Sequence, residues 1–130
     1  MIEQIAPPAA WQFTLDHPDH ILLDVRDPIE FTMIGHPPGA CNIPWKFAPS
    51  WQINPDFVAR VRQLVPDSAT PILLLCRSGQ RSQDAAEQLA AAGYSKLYNI
   101  REGFEGPLDA ERHRSSKGGW RYHGLPWEQS

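Results

Sequence analysis

The stretch Leu74-Leu75-Cys76-Arg77-Ser78-Gly79-Gln80-Arg81-Ser82 decides how the rest of the chain is read. An apolar strand, 71–75, ends in a cysteine, and a helix is expected to begin near Ser82. The short turn between them contains a glycine, so it can aim its backbone N–H groups at the sulfur. Such a nest of amides, the positive end of the following helix and two arginines all favour a thiolate over a thiol. The pattern describes a device for holding an anionic, nucleophilic sulfur together with the anion it reacts with, and it points to an enzyme.

Outward from this loop, apolar runs and helical patterns alternate. Pro8 to Leu15 reads as a short helix, and Ile21 to Val25 as a strand buried on both faces. Asp27 caps a short helix that has Pro28 as its first residue, and Ala40 to Ile43 reads as a second short strand. The aromatic segment from Trp45 to Trp51 has no regular period. A helix over 55–64 with Asn54 as cap, the strand 71–75, a helix over 82–92 stopped by Gly93 and a strand over 94–100 complete the series. The alternation predicts an α/β layer structure with a mostly parallel central sheet flanked by helices.

Composition narrows the functional classes. The chain has 130 residues, the size of one domain, and its 42% apolar and 21% charged content is ordinary for a globular protein. A formal charge of −3 argues against general nucleic-acid binding. The expectation is no nucleic acid and no membrane, because no apolar run approaches the length of a span. The N-terminal residues lack a basic region followed by an apolar stretch, so no signal peptide is read there. Cys41 and Cys76 form no CxxC pair, which makes a reducing, cytoplasmic setting the default. His17 and His20 have no helix to present them, and no metal site is expected.

At this point the chain resembles the rhodanese-like, single-domain sulfurtransferases. Leu23-Asp24-Val25-Arg26 looks like the family's opening strand motif, and Glu30-Phe31 with Gly35 to Ala40 like its second. Cys76 to Ser82 looks like the active loop, and Gly124-Leu125-Pro126 like the usual ending. The resemblance implies a rhodanese-like fold over residues 1–130, with 103–130 as a C-terminal extension that contains an inserted loop, 105–119. It implies that Cys76 takes the outer sulfur of a small anionic donor such as thiosulfate, keeps it as a persulfide and yields it to a second nucleophile. That acceptor would be a small thiol, cyanide or a sulfur-carrier protein. Arg77, Ser78, Gly79, Gln80, Arg81 and Ser82 would form the substrate-binding loop, and no cofactor or metal is needed. Arg77 and Arg81 would add donors and attract the substrate, unless their side chains point outward.

Other readings stand beside this one. A cysteine phosphatase or arsenate reductase would place arginine six positions after the cysteine, where Ser82 stands, and histidine before it, where Leu75 stands. A non-catalytic rhodanese-like binding module often lacks the nucleophile, which is intact here. A redox sensor would join Cys76 to Cys41, although Cys41 reads as plain packing. Asp24 and Arg26 read as a buried supporting pair, and His36 as a turn-fixing hydrogen-bonder. Trp45, Phe47 and Trp51 read as satellite core or as an aromatic rim to the loop. The run Arg112, Arg114, Lys117 and Arg121 contains no acid. If the inserted loop lies at the ligand edge of the sheet, these cations would focus an anionic donor.

Overall fold

The computed structural model describes residues 2–130. Five parallel strands form the sheet in the order β1-β7-β6-β2-β3. They are β1 (Ile2–Ile5), β2 (Ile21–Asp24), β3 (Cys41–Asn42), β6 (Ile72–Leu75) and β7 (Leu97–Ile100), and a separate antiparallel hairpin pairs β4 (Lys46–Phe47) with β5 (Gln52–Ile53). Three helices cover the sheet: α1 (Pro7–Asp16), α2 (Phe57–Leu64) and α3 (Gln80–Ala91).

Burial on both faces follows from the two-residue period of strands. In the central strand β6, Ile72 and Leu74 join one core with Leu23, Val61 and Leu89, beneath α2 and α3. Leu73 and Leu75 point the other way, into a core with Ala10, Phe104 and Trp120. All four residues of β6 are buried, which accounts for its unbroken aliphatic sequence.

This topology fixes where a site can form. From β2 the chain moves to β3 on one side, whereas β6 lies on the other side of β2. The loops leaving β2 and β6 therefore diverge at the carboxyl edge of the sheet and open a crevice there. Asp24 and Leu75 are register partners, so Arg26 and Cys76 emerge next to that crevice.

Several boundaries differ from the sequence expectations, each for a physical reason. β1 has no counterpart in the periodicity, because only Ile2 and Ile5 of its four residues are apolar and it lies at the sheet edge. The helix expected after Asp27 becomes a single π-helical turn, Glu30–Ile34, although Asp27 Oδ1 still accepts the Ile29 N–H at 2.9 Å. α3 starts at Gln80 instead of Ser82, because Gly79 takes a left-handed conformation, φ 116°, and serves as its N-cap. The aromatic segment splits: Trp45 is buried in the core, while Phe47 in β4 and Trp51 in the turn of the hairpin are partly exposed. Tyr94 is not a strand residue, and its hydroxyl donates to the Val65 carbonyl at 2.6 Å.

The C-terminal segment packs into the fold. Trp120 is completely buried, edge-on to Trp11 at 5.9 Å, and its indole N–H donates to the Pro126 carbonyl at 2.8 Å. The backbone N–H of Trp120 donates to the Gly103 carbonyl, also at 2.8 Å. Deleting so large a buried ring leaves a cavity and an orphaned carbonyl. Trp120→Ala should cost about 3–5 kcal/mol in urea unfolding; a loss below about 1 kcal/mol would show that the segment is only laid on the surface.

Candidate active site

Cys76 follows β6 directly and is 1% exposed. Its Sγ accepts the Gly79 N–H at 3.1 Å and faces the Ser82 hydroxyl at 3.2 Å. The loop is turned this way from behind. The Cys76 carbonyl accepts the Phe104 N–H at 2.8 Å, and the Arg77 carbonyl accepts those of Glu105 and Gly106 at 2.9 and 3.2 Å. Peptide units are planar and trans, so a carbonyl held toward the tail sends its partner N–H the opposite way. The amides of Arg77 and Ser78 therefore turn into the loop. The approach depends on Gly103, where a Cβ would lie 2.6 Å from the Cys76 carbonyl oxygen.

Ser82 has one hydroxyl proton and three acceptors within reach. These are Cys76 Sγ, the Gly79 carbonyl at 3.1 Å and Asn99 Oδ1 at 2.5 Å. Asn99 is oriented by its own amide, which donates to Gln4 Oε1 at 2.9 Å and to the Gly79 carbonyl at 3.2 Å. Gln4 comes from β1 and Asn99 from β7, strands paired in register at those two residues. The edge strand that the sequence did not signal thus fixes the polar floor beneath the sulfur.

Two ion pairs support the loop from the β2 side. Asp24 and Arg26 are both fully buried, with Arg26 Nη2 2.6 Å from Asp24 Oδ2. Arg26 Nη2 also donates to the Gly35 carbonyl at 2.6 Å, and its guanidinium lies 4.7 Å from the Phe104 ring. The pair thereby joins the strand β2, the turn after the π-helix and the tail. The second pair is Arg81 with Glu30, bidentate at 2.8 and 2.9 Å, and the Trp51 ring sits 4.7 Å from the same guanidinium. Arg81 is thus folded onto a carboxylate and an indole, neither free at the mouth nor pointing to solvent. Arg77 makes no ion pair among the described residues, and its Nε is buried without a partner.

The remaining sequence candidates are distributed as follows. Ser78 lies in the loop, whereas Gln80 is the first residue of α3 and its side chain donates to Asp84 at 3.0 Å, along the outer face of that helix. Cys41, on β3, pairs in register with Leu23 of β2 and is only partly buried. His36 fixes a turn: Nδ1 donates to the Pro37 carbonyl at 2.9 Å, Nε2 is hydrogen-bonded with the Ser130 hydroxyl at 2.7 Å, and its ring stacks on Phe31. The basic run is not a uniform cationic field. Arg114 donates to the Gly106 carbonyl at 2.7 Å, and Arg121 donates to Ser115 at 3.0 Å and lies 3.6 Å from Glu105. Both side chains brace the turn that clamps the loop, which leaves Arg112 and Lys117 as its solvent-facing cations.

These features together define a parallel α/β fold with a cysteine in an amide-lined loop at the carboxyl edge of its sheet. The family model for the rhodanese-like domain matches residues 10–109, and the chain belongs to that family. It is similar to the protein Rv0390 from M. tuberculosis, whose crystal structure superposes with a TM-score of 0.89 at 39% identity, covering 98% of both chains. It is 33% identical over 128 residues to the uncharacterized protein RC0915 of Rickettsia conorii, covering 98% of each. It is 32% identical over 132 residues to thiosulfate sulfurtransferase 16 of Arabidopsis thaliana, covering 97% of this chain and 98% of that one.

The Glu30–Arg81 pair carries a pH dependence. Burial pushes the Glu30 carboxyl up, but the hydrogen bonds and charge of Arg81, the Asp27 N–H and the charge of Arg26 together hold it below its ordinary value. Burial likewise pushes Arg81 down, and Glu30, with smaller contributions from the charges of Cys76 and Asp24, outweighs it and raises Arg81. Because the folded-state pKa of Glu30 lies below the unfolded one, its contribution is complete above the ordinary glutamate range. It is lost as pH falls through the lower, folded value. Near neutral pH, Glu30→Gln should cost about 1–2 kcal/mol of stability. That difference should shrink as pH falls below the ordinary glutamate range in urea titrations, and a gap that stays constant with pH would contradict the pairing.

Proposed function

We propose that this rhodanese-like chain is a sulfurtransferase that stores sulfane sulfur on Cys76. The observation that carries the proposal is the Cys76 sulfur seated 3.1 Å from the Gly79 N–H, in a loop whose carbonyls are drawn outward by the tail. A thiolate in that position attacks the outer sulfur of thiosulfate. A sulfur–sulfur bond forms on Cys76, the bond to the sulfonate sulfur breaks, and sulfite leaves with the electron pair. The outer sulfur of the new persulfide carries the negative charge, and the amides of the loop from Arg77 to Ser82 are its donors. In the second half-reaction a nucleophile, cyanide or a thiolate, attacks that outer sulfur and Cys76 departs as thiolate. The divided reaction predicts ping-pong kinetics.

Support comes also from the similarity to an Arabidopsis thiosulfate sulfurtransferase along nearly the whole chain. We take residues 1–130 as one such domain in a reducing, cytoplasmic setting, where the thiol stays free between turnovers. Asp24 and Arg26 support the loop and do not touch the sulfur. The partners that suit this chemistry are a small anionic sulfur donor and a thiol or sulfur-carrier acceptor.

Intact-mass spectrometry of the reduced protein after thiosulfate treatment tests the proposal. The expected result is a gain of one sulfur atom, discharged by cyanide as thiocyanate and absent from Cys76→Ser. No gain, either from thiosulfate or from a persulfidated cysteine desulfurase, would overturn it.

A further inference from the structure

Transfer of sulfur through Cys76 does not by itself require a carboxylate at the loop, yet one is built in. Glu30 opens the π-helical turn, 51 residues before Arg81, and occupies both guanidinium nitrogens Nη1 and Nη2 at 2.8 and 2.9 Å. The two side chains are only 14% and 13% exposed, and Trp51 covers one face of the guanidinium. Trp51 itself adopts a left-handed backbone, φ 59°, which a large side chain seldom takes, so the cover over Arg81 is held at a conformational cost. The π-helical turn is tied down as well. The Ser130 N–H and the Gln129 side-chain amide donate to the Thr32 and Met33 carbonyls, at 3.3 and 2.6 Å. The Asp27 N–H donates to Glu30 Oε1 at 3.2 Å.

Counting charge around the sulfur gives the consequence. Asp24 cancels Arg26, and Glu30 cancels Arg81. Arg77, adjacent to Cys76, is left without an ion-pair partner among the described residues. Arg101, which lines the pocket at the loop with Ser78, Gly79 and Gln80, has no ion-pair partner among the described residues either. The free cations nearest the loop are therefore Arg77 and Arg101, and Arg81 is withdrawn from that set. The electrostatic energy scales with the donor's charge, so neutralising Arg81 costs a dianion more than a monoanion.

We propose that Glu30 sets the charge selectivity of the site: by neutralising Arg81 it disfavours doubly charged sulfane donors relative to singly charged ones. The proposal rests on the sulfurtransferase reading and assigns Glu30 a positioning role through Arg81. Glu30 makes no contact with the sulfur. A purely structural pair makes the opposite forecast, because loss of Glu30 would then slow every donor alike.

The test compares two donors with the same transferable sulfur, thiosulfate as the dianion and benzenethiosulfonate as the monoanion. Single-turnover loading of Cys76 is followed by intact mass in the full chain. Glu30→Gln should raise the ratio of thiosulfate to benzenethiosulfonate loading about tenfold, through a lower apparent KM for thiosulfate and a steeper salt dependence. Arg81→Met leaves Glu30 uncompensated and should lower that ratio below the wild-type value. The double variant should restore it, which keeps the test decisive if either single variant folds poorly. Loading that falls equally for both donors in Glu30→Gln, or a ratio unchanged in all variants, would overturn the charge-selectivity role and leave sulfur transfer standing. Failure of both donors to load the wild-type protein would overturn the two together.

Discussion

The backbone of the cysteine loop is held by a segment far from it in sequence. Phe104 donates to the Cys76 carbonyl, and Glu105 and Gly106 donate to that of Arg77. Peptide planarity makes those bonds directional: with the carbonyls drawn to the tail, the amides of Arg77 and Ser78 turn the opposite way, into the loop. Such a nest is costly to leave unorganised, because its N–H groups would otherwise compete for water or for the chain itself. Much of the chain beyond β7 serves this arrangement. Gly103 admits the close approach, Trp120 anchors the returning chain in the core, and Arg114 and Arg121 brace the turn at Gly106 and Glu105.

The opposite side of the loop is held by charge. The buried Asp24–Arg26 pair stands where β2 leaves the sheet, and the Glu30–Arg81 pair bridges the π-helical turn to the start of α3. Buried pairs of this kind add little net stability over an apolar alternative but tolerate the loss of one partner poorly. They therefore specify geometry. A sulfur that alternates between thiolate and persulfide benefits from surroundings that do not rearrange at each step, because preorganised donors stabilise charge without reorganising.

Much of this was legible in the chain. The aliphatic run of β6, the cysteine at its end and the Gly79-centred turn identified the α/β layer and the loop without any tertiary information. Asp27 as a cap and Gly93 as a stop were local signals of the same kind. The features that escaped are those whose partners lie far away in sequence. β1 is an edge strand with too few apolar residues to signal itself, so Gln4 and its hold on Asn99 were invisible. The Glu30–Arg81 pair spans 51 residues, and nothing near either residue announces the other. The basic run around Arg112 to Arg121 misled for a related reason: composition shows the charge but not that Arg114 and Arg121 are spent on Gly106, Ser115 and Glu105.

The most direct measurement is a crystal structure of the protein soaked in thiosulfate. The account predicts a second sulfur bonded to Cys76 Sγ, ringed by the loop amides, with the Phe104 and Glu105 hydrogen bonds to the Cys76 and Arg77 carbonyls intact. A bare Cys76, or a loop whose carbonyls have turned toward the sulfur, would contradict it.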